Sequence, residues 1–401
     1  MTTILTHKQN KSMKPNTQDT KIAFEYKTDR QLKENYWLFK LMNNNWLVNI
    51  GSKLTLLGLK LRLPIKGLIK HTIYKQFCGG AELVDCIPTM DLLKDYNTLT
   101  ILDYGAEGKE SEESFDLTMV EMLRVVEFAS KMPSAPIISL KLTGLGRFGL
   151  LEKMDRNEAL LEAEMLEKRN IEKRLDAICH KANALGVGVF IDAEESWIQD
   201  TIDFMAQLMM ERYNKLKVTV YNTYQMYRSD RLQYLKDSIK VATEEGYLLG
   251  AKLVRGAYMD KERARAQELG YPSPIQPNKA ATDKDFDAAV TLCLTNFPLV
   301  SICLASHNEN SCMLLANAIQ KRPYLKDRPE ILICQLYGMS DNLTFNFAKA
   351  GYRAAKYLPY GTIDDVIPYL IRRANENSSV SGDMSRELGL ITREMKRRKL
   401  L

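Results

Sequence analysis

Short apolar runs and longer amphipathic stretches alternate along the chain from about residue 98. Each run is rich in Leu, Ile and Val and ends in polar residues, which is typical of a buried strand. The stretches that follow place apolar residues at helical spacing, as in 116–130, 156–184, 198–215 and 231–245. Eight runs predict strands, at 98–104, 136–143, 187–192, 217–222, 249–255, 300–306, 331–336 and 353–358.

Eight strands that alternate with helices favour one fold class. They predict an α/β protein, a (β/α)8 TIM-like barrel, rather than a doubly wound sheet, because no second composition regime interrupts the alternation. We expect a basic N-terminal arm with a helical extension over 1–97, the barrel over 98–385, and a basic C-terminal tail over 386–401.

Charged side chains stand at or near the ends of three predicted strands. Lys141, Asp192 and Lys252 lie within otherwise apolar sequence. A charge in such a strand is costly unless it is paired or holds a ligand. In barrels of this class the chemistry sits at the end where the strands finish, here called the barrel mouth. The three residues therefore predict a functional site at the barrel mouth.

A helix near the C-terminus carries an unusual stripe. Tyr369, Arg372, Arg373 and Glu376 stand at i, i+3, i+4 and i+7, so a helix places all four on one face. Two adjacent arginines repel unless an anion lies between them, and the guanidinium fork suits a carboxylate. A solvated face with an ion pair is the alternative. Because the stripe follows the last predicted strand, we expect a helix that lies over the barrel mouth.

Composition and cysteine spacing exclude several classes of site. With 45% hydrophobic and 26% charged residues, the chain has the composition of an ordinary globular protein. Seven cysteines are scattered with no Cys-x-x-Cys spacing, which predicts reduced thiols in a cytoplasm-like compartment and argues against structural zinc. Four histidines argue against a His-rich metal centre, and no Ser or Cys nucleophile has a recognisable elbow. We expect no metal.

Positive charge is concentrated in the N-terminal arm. Residues 1–77 hold fourteen Lys or Arg and four Asp or Glu, a net charge of +10, so the remainder of the +6 chain carries −4. Such an arm can pack on the barrel, contact an anionic membrane or bind nucleic acid. No nucleic-acid-binding motif supports the last alternative. No apolar run reaches the roughly 18 residues of a transmembrane helix.

Two further features allow more than one interpretation. The segment 144–149 fits the G-x-G-x-x-G pattern, but the next strand ends at Asp192, more than 40 residues on, where a dinucleotide fold needs an acidic residue about 20 residues on. We expect these glycines to serve a barrel loop. His307 follows an apolar strand, and both a structural role and a base or flavin-contacting role remain open for it.

Seven segments together resemble the proline dehydrogenase family in order and spacing. They are 190–195, 221–225, 252–258, 282–283, 335–339, 357–361 and 369–376. The resemblance extends from about residue 98 to 380 and is greatest to the stand-alone, mitochondrial-type members. It implies a barrel that binds FAD and oxidises L-proline to Δ1-pyrroline-5-carboxylate.

The resemblance also implies roles for individual residues. Arg372 and Arg373 would clamp the substrate carboxylate, with Lys141 completing a cationic pocket. The ring would be boxed by Tyr357, Tyr369, Tyr258 and Leu336. Glu376 would hold an arginine in place. Asp192 would support the pocket from behind, and Lys252, where many relatives have arginine, would donate toward flavin N5. The remaining FAD contacts implied are Asn222, Arg255, Ala257, Thr282, His307 and Asn308.

The resemblance further implies partners and a location. Electrons would pass to a membrane quinone, and a separate pyrroline-5-carboxylate dehydrogenase would take the product. The basic arm and the cluster at 393–399 would dock on anionic lipid, on the cytoplasmic face of a bacterial inner membrane. Two alternatives stay open at this point: a hydroxyproline dehydrogenase, and a non-catalytic barrel that acts as a sensor or scaffold.

Overall fold

Eight parallel strands close into a barrel in which each strand pairs with the next and β8 pairs with β1. This is a computed structural model, and it describes residues 14–61, 63–105, 110–326, 328–379 and 383–401; the side chains at 45, 49, 56–60, 374–379, 383 and 384 lie outside the description. The strands are β1 (Thr98–Tyr104), β2 (Ile137–Lys141), β3 (Gly188–Asp192), β4 (Val220–Gln225), β5 (Leu249–Val254), β6 (Val300–Ala305), β7 (Ile331–Leu336) and β8 (Ala354–Tyr360). The predicted barrel is confirmed.

The strands are buried on both faces, which explains their near-continuous apolar sequence. Inward-facing side chains such as Ile101, Phe190 and Tyr221 form one cluster that fills the barrel. Alternate residues face the surrounding helices and join a larger cluster. The strand that differs most from its predicted bounds is β4, predicted over 217–222, which begins at Val220 and continues to Gln225. The Asn214 side chain accepts hydrogen bonds from the backbone of Thr219 and Val220 and so fixes the start of this strand.

Helices surround the barrel as the alternating pattern predicts. Between the strands lie α7 (Glu112–Ser130), α8 (Phe148–Asp155), α9 (Glu162–Leu185), α10 (Ser196–Tyr213), α11 (Arg231–Glu244), α12 (Met259–Leu269), α13 (Lys279–Thr295), α14 (Glu309–Gln320) and α15 (Asp341–Lys349). Two helices follow β8, namely α16 (Ile363–Ser379) and α17 (Asp383–Arg397). The helical extension before the barrel comprises α1 (Thr20–Phe24), α2 (Asp29–Met42), α3 (Asn45–Lys60), α4 (Lys66–Ile69), a π-helical stretch (Lys70–Tyr74), α5 (Lys75–Phe77) and α6 (Leu83–Asp95).

The first described part of the N-terminal arm, around α1, packs on the barrel. The Tyr26 hydroxyl donates to Asp341 of α15 at 2.7 Å, and the Asn346 side chain donates to the Asp19 carbonyl at 3.1 Å. Arg398 donates to the carbonyl oxygens of Phe24 and Lys27, both at 2.7 Å. Of the three alternatives for the arm, packing is therefore the one that the structure shows for α1.

Residues 386–401, expected to be a basic tail, are largely helical and packed. Glu394 is fully buried in α17 and accepts hydrogen bonds from Arg397 and Arg398 at 2.7 Å. Glu387 is also buried, and its carboxylate accepts from the backbone N–H of Ser340 at 2.9 Å. Basic side chains dominate the sequence here, but two buried carboxylates anchor the helix to the rest of the fold.

The glycine-rich segment lies in the loop after β2, as expected. Gly144 ends a 3-10 turn, and Arg147 pairs with Glu167 at 3.0 Å. A Cβ at Gly146 would lie 2.3 Å from the Ile171 side chain, so this glycine lets the loop pack on α9. Among the residues that the structure describes, no helix combines the length and the apolar character needed to cross a bilayer.

Candidate active site

Asp192 is the centre of a buried polar cluster inside the barrel mouth. Lys252, on β5, donates to one carboxylate oxygen at 2.5 Å, and the Tyr357 hydroxyl, on β8, donates to the other at 2.7 Å. The Lys252 ammonium also lies 5.2 Å from the centre of the Phe190 ring and 4.8 Å from that of Tyr357. Lys141 neighbours Asp192 in the register of β2 and β3. Of the four strands involved, β2 and β3 are neighbours, but β5 and β8 are paired with neither of the two, so only barrel closure assembles the cluster.

The charges in this cluster depend on one another. Burial by itself would raise the pKa of Asp192, but the positive charges of Lys252 and Lys141 outweigh burial and hold that pKa below its ordinary value. Burial raises the pKa of the neighbouring Asp103, and the negative charge of Asp192 adds to the effect. Asp192 is therefore the carboxylate that stays ionised. Removing one partner of such a buried pair typically costs 3–5 kcal/mol, roughly, because the other charge is left uncompensated.

Glu194 ties the loop after Lys141 to the end of β3. Its carboxylate accepts from the Thr143 backbone N–H at 3.1 Å and from the Thr143 hydroxyl at 2.6 Å. Burial raises the pKa of Glu194 to about 7, although the Thr143 hydrogen bond and the Lys141 charge act in the opposite direction. This group therefore changes its protonation near neutral pH while it positions the loop that follows Lys141.

A second polar cluster surrounds Arg255, just beyond β5. Its guanidinium donates to Asp283 at 2.8 Å, to the Ser306 hydroxyl at 2.6 Å and to the Ser311 hydroxyl at 3.0 Å. It also lies 4.3 Å from the centre of the Phe286 ring. These contacts orient the guanidinium between the ends of β5 and β6.

His307 lies where β6, α15 and α17 meet. Its Nδ1 is 2.9 Å from the Ser340 hydroxyl, which Arg386 of α17 also contacts at 3.3 Å. Burial lowers the pKa of His307 well below its ordinary value, and the charges of Lys356, Arg386 and Arg373 lower it further. The imidazole is therefore neutral near pH 7, and it can offer one donor and one acceptor.

The stripe on α16 faces the same region. Tyr369 is buried, and the Arg373 guanidinium lies 5.2 Å from the centre of its ring. Arg373 is only 8% exposed, whereas Arg372 is half-buried. The expected helix is confirmed, and Arg373 is too buried for a solvated face, whereas Arg372 is partly exposed. The side chain of Glu376, expected to hold an arginine, lies outside the described residues.

The sequence of this barrel matches one protein family over most of its length. The family described as Proline dehydrogenase matches residues 86–386, which is most of the chain. The chain belongs to the proline dehydrogenase family. It is an oxidoreductase of that family, and the family supports proline oxidation as its chemistry.

Individual proline dehydrogenase relatives agree with the family assignment. Proline dehydrogenase 1, mitochondrial, of Dictyostelium discoideum is 30% identical over 95% of this chain and 74% of its own length. A hydroxyproline dehydrogenase of Xenopus laevis is 30% identical over 94% of this chain and 89% of its own length. The crystal structure of proline utilization A from Bdellovibrio bacteriovorus, inactivated by N-propargylglycine, superposes with a TM-score of 0.70 at 20% identity. It covers 90% of this chain, which spans 38% of that longer protein. That likeness shows the fold.

Other residues expected at the proline dehydrogenase site are near it. Leu336 ends β7, is half-buried and pairs with Tyr357 in the strand register. After β5, Ala257 is exposed and Tyr258 half-buried directly before α12. Thr282 is buried in α13 beside Asp283, which accepts from Arg255.

Two of the residues expected to contact FAD are engaged elsewhere. Asn222 points outward from β4, where its side chain donates to Asp203 of α10 at 2.8 Å. Strand alternation explains this direction, because the adjacent Tyr221 belongs to the barrel interior. Asn308 caps α14, with its side-chain oxygen accepting from the Ser311 N–H at 3.1 Å. This contact is local, and Asn308 can therefore still shape the loop that holds His307.

Three residues of the site were missed by the sequence argument. Asp103 lies in an apolar strand, as Asp192 does, so the same signal, a charge in an apolar strand, could have found it. Gln225 is buried at the end of β4, where its Nε2 donates to the Glu194 carbonyl. No hydrogen-bond partner reaches its Oε1 from the described part of the chain. Phe190 carries no polar signal at all, because its contact with Lys252 follows from barrel closure alone.

Proposed function

We propose that this chain catalyses the FAD-dependent oxidation of L-proline to Δ1-pyrroline-5-carboxylate, the first step of proline breakdown to glutamate. The observation that carries the proposal is the buried positive charge at the barrel mouth, contributed by Lys252 inside the barrel and by Arg373 above it. Asp192 already balances the charge of Lys252, and the Arg373 guanidinium brings fixed N–H donors to the barrel mouth. The substrate's carboxylate suits the arginine fork.

The residues around the ends of β4 and β5 fit a flavin. Gln225 presents a buried acceptor oxygen with no partner from the described residues, and a flavin ring carries an N–H that such an acceptor can bind. Lys252 has three N–H donors, and its contact with Asp192 uses one of them. Gly256 has φ of 135°, and a Cβ there would lie 2.4 Å from the Tyr227 ring. In this proposal Lys252, Arg255 and Gln225 hold FAD, with Ala257, Thr282, His307 and Asn308 shaping its site.

The substrate pocket is proposed to hold one small ring amino acid. Arg372 and Arg373 bind the carboxylate together with Lys141, and the ring is boxed by Tyr357, Tyr369, Tyr258 and Leu336. Asp192 keeps Lys252 and Tyr357 in fixed positions, because both donate to it. When bound, FAD supplies the acceptor for the hydride of the proline C5 atom. The protein's contribution is to hold the ring at reactive distance and to exclude water.

A spectroscopic experiment tests this proposal directly. The purified protein should be yellow, and anaerobic addition of L-proline should bleach the visible flavin absorbance, because the substrate reduces the flavin. D-Proline is the matched control, since it has the same ring with the carboxylate on the other face. A colourless protein would favour the alternative of a non-catalytic sensor or scaffold.

Hydroxyproline oxidation is the second candidate function. The Xenopus laevis relative named hydroxyproline dehydrogenase favours it, because it matches nearly the whole chain at an identity equal to that of the Dictyostelium discoideum proline dehydrogenase. The two substrates differ by one hydroxyl, and the pocket would need room and a partner for it. Bleaching by hydroxyproline alone would assign this second function.

We further propose a membrane quinone as the electron acceptor and a separate pyrroline-5-carboxylate dehydrogenase for the product. Several large apolar side chains of the N-terminal extension are exposed, namely Trp37, Trp46, Leu54 and Leu68. They lie among lysines in the part of the sequence that carries a charge of +10. Exposed tryptophan and lysine together suit the interface of an anionic membrane. The proposal places the enzyme peripherally on the inner face of a bacterial inner membrane.

Leu54→Gln should weaken co-sedimentation with anionic phospholipid vesicles, because it removes an apolar side chain from the proposed contact. Leu216→Gln is the matched control, since Leu216 is 96% exposed but lies between α10 and β4. Binding of the parent protein should fall as salt is raised, since part of it is electrostatic. If no binding occurred at any salt concentration, or if the control weakened it equally, the membrane proposal would be wrong.

A further inference from the structure

An apolar groove lies between the N-terminal extension and α16. It encloses about 300 Å³ and is lined by α2, α3, the adjoining α4 and π-helical stretch, and α16. Among its lining residues are Leu41, Val48, Ile69, Ile73 and Leu370. A volume of this order is at the lower end for small-molecule sites, which are also predominantly apolar.

The groove and the proposed substrate pocket use opposite faces of one helix. The groove is lined by Ile367, Leu370 and Ile371 of α16. The stripe described above includes Tyr369, Arg372 and Arg373 of the same helix. At 100° per residue these two sets of three point in nearly opposite directions from the α16 axis. A molecule in the groove is therefore separated from the barrel mouth by about one helix diameter, roughly 10 Å.

The open side of the groove is bordered by exposed apolar residues. Trp46 is 68% exposed, and Leu47, Ile50 and Leu54 on the same helix are exposed as well. Leu41 belongs both to the exposed set and to the lining of the groove. The groove thus opens within the surface that we propose to contact the membrane. An apolar molecule dissolved in the bilayer could enter it without crossing water.

We infer that this groove binds the isoprenoid chain of the membrane quinone. The inference rests on the proposed function, in which a quinone is the electron acceptor, and it assigns that acceptor a site. The lining offers little for a charged or peptide ligand to pair with, since its side-chain polar atoms are the hydroxyls of Ser52 and Thr55. With only these two hydroxyls among its side-chain polar groups, the wall is predominantly apolar and suits a long hydrocarbon chain.

The electrons and protons that proline loses equal those that the quinone takes up. Oxidation of one proline removes two electrons and two protons in total. The quinone takes up two electrons and two protons and leaves as the quinol. The isoprenoid chain takes no part in this chemistry. Its role is to raise the affinity for acceptors that carry a chain, and this role separates it from the reaction at the barrel mouth.

Gly51 offers a way to fill the groove without disturbing the fold. It lies in α3 on the groove wall, and a Cβ built there meets no atom within 4 Å. Gly51→Leu should therefore project into open space, and it should also stabilise the helix because glycine is a poor helix former. Gly389→Leu is the matched control: Gly389 is an exposed helical glycine in α17, its Cβ would likewise meet nothing within 4 Å, and it is not among the groove-lining residues.

The experiment compares two acceptors with the flavin-loaded enzyme and L-proline. With a quinone that carries a long chain, Gly51→Leu should raise the KM for the acceptor about tenfold or more. A quinone without a chain should be reduced by Gly51→Leu as fast as by the parent protein. Gly389→Leu should change neither value. Quenching of tryptophan fluorescence by the long-chain quinone, measured without proline, should weaken in parallel in Gly51→Leu. Ser52→Leu serves as a second filling variant.

The outcomes separate this inference from the proposed function. If proline bleached no flavin, the proposed function would fail while quenching by the quinone could still be measured. If both acceptors were reduced equally well by the parent and by both filling variants, the groove assignment would be wrong and proline oxidation would stand. If added phospholipid abolished the quenching of tryptophan fluorescence by the long-chain quinone, the inference would also be overturned, because the groove would then hold lipid.

Discussion

Asp192→Asn should nearly abolish proline oxidation and should lower the free energy of unfolding. Asparagine keeps the size of the side chain and can still accept a hydrogen bond from Tyr357. It cannot balance the charge of Lys252, which is buried and bonded to Asp192 at 2.5 Å. An uncompensated buried charge costs roughly 3–5 kcal/mol. Lys252 and Tyr357 would also lose their fixed positions, so we expect kcat to fall by about two orders of magnitude.

Steady-state kinetics with proline and urea unfolding at several pH values would measure both effects. The folded-state pKa of Asp192 lies below its ordinary value, so its contribution to stability is present above about pH 4 and is lost as the pH falls through the folded-state pKa. The stability difference between parent and variant should therefore be largest near neutral pH and shrink in acid.

Two further variants control this prediction. Asp103→Asn changes the neighbouring buried carboxyl, whose pKa is raised, so it should destabilise the protein less at neutral pH. Combining Asp192→Asn with Lys252→Met removes both charges and should restore part of the lost stability but no turnover. Full turnover by Asp192→Asn would contradict the role assigned to this pair.

Arg373→Met should leave flavin bound but abolish saturation by proline. Arg373 is 8% exposed on α16, and its guanidinium lies 5.2 Å from the centre of the Tyr369 ring. A hydrogen bond to a charged group contributes roughly 1.5–3 kcal/mol, and a bidentate contact makes two of them. Methionine keeps the apolar stem and loses both donors. The KM for proline should therefore rise by about two orders of magnitude or more.

The matched control is Arg372→Met, which changes the adjacent and more exposed arginine. Because Arg372 is only half-buried, its loss should raise KM by a smaller factor. The flavin-to-protein absorbance ratio reports whether each variant still holds the cofactor. An unchanged KM in Arg373→Met would remove this residue from the proposed carboxylate clamp.

The barrel and part of its site could be predicted from local patterns. Apolar runs that end in polar residues gave all eight strands, and the charges of Lys141, Asp192 and Lys252 marked the barrel mouth. These signals are readable because a charge in an apolar strand is costly in any fold that buries the strand. The stripe on α16 was equally visible, since helical spacing alone places Tyr369 and Arg373 on one face.

Side-chain direction and long-range pairing could not be predicted in the same way. Asn222 lies in one of the segments that resemble the family, and the sequence does not show its direction. The alternation of side chains along β4 turns it outward, where it contacts Asp203. The contact of Lys252 with Asp192 joins residues 60 positions apart. The residues at 386–401 look like a basic tail in the sequence, because nothing local shows that Glu387 and Glu394 of α17 are buried.

By itself, the sequence determined the fold class, the family resemblance and the kinds of side chain at the barrel mouth, because periodicity and strand-end chemistry are local properties. Only the tertiary structure decided which of those side chains meet, how far Arg373 is buried, and that α3 and α16 leave an apolar groove between them. The physical reason is that burial and contact depend on segments far apart in the chain. Local spacing fixes the face of a helix, but closure of the barrel and packing of the extension choose what that face touches.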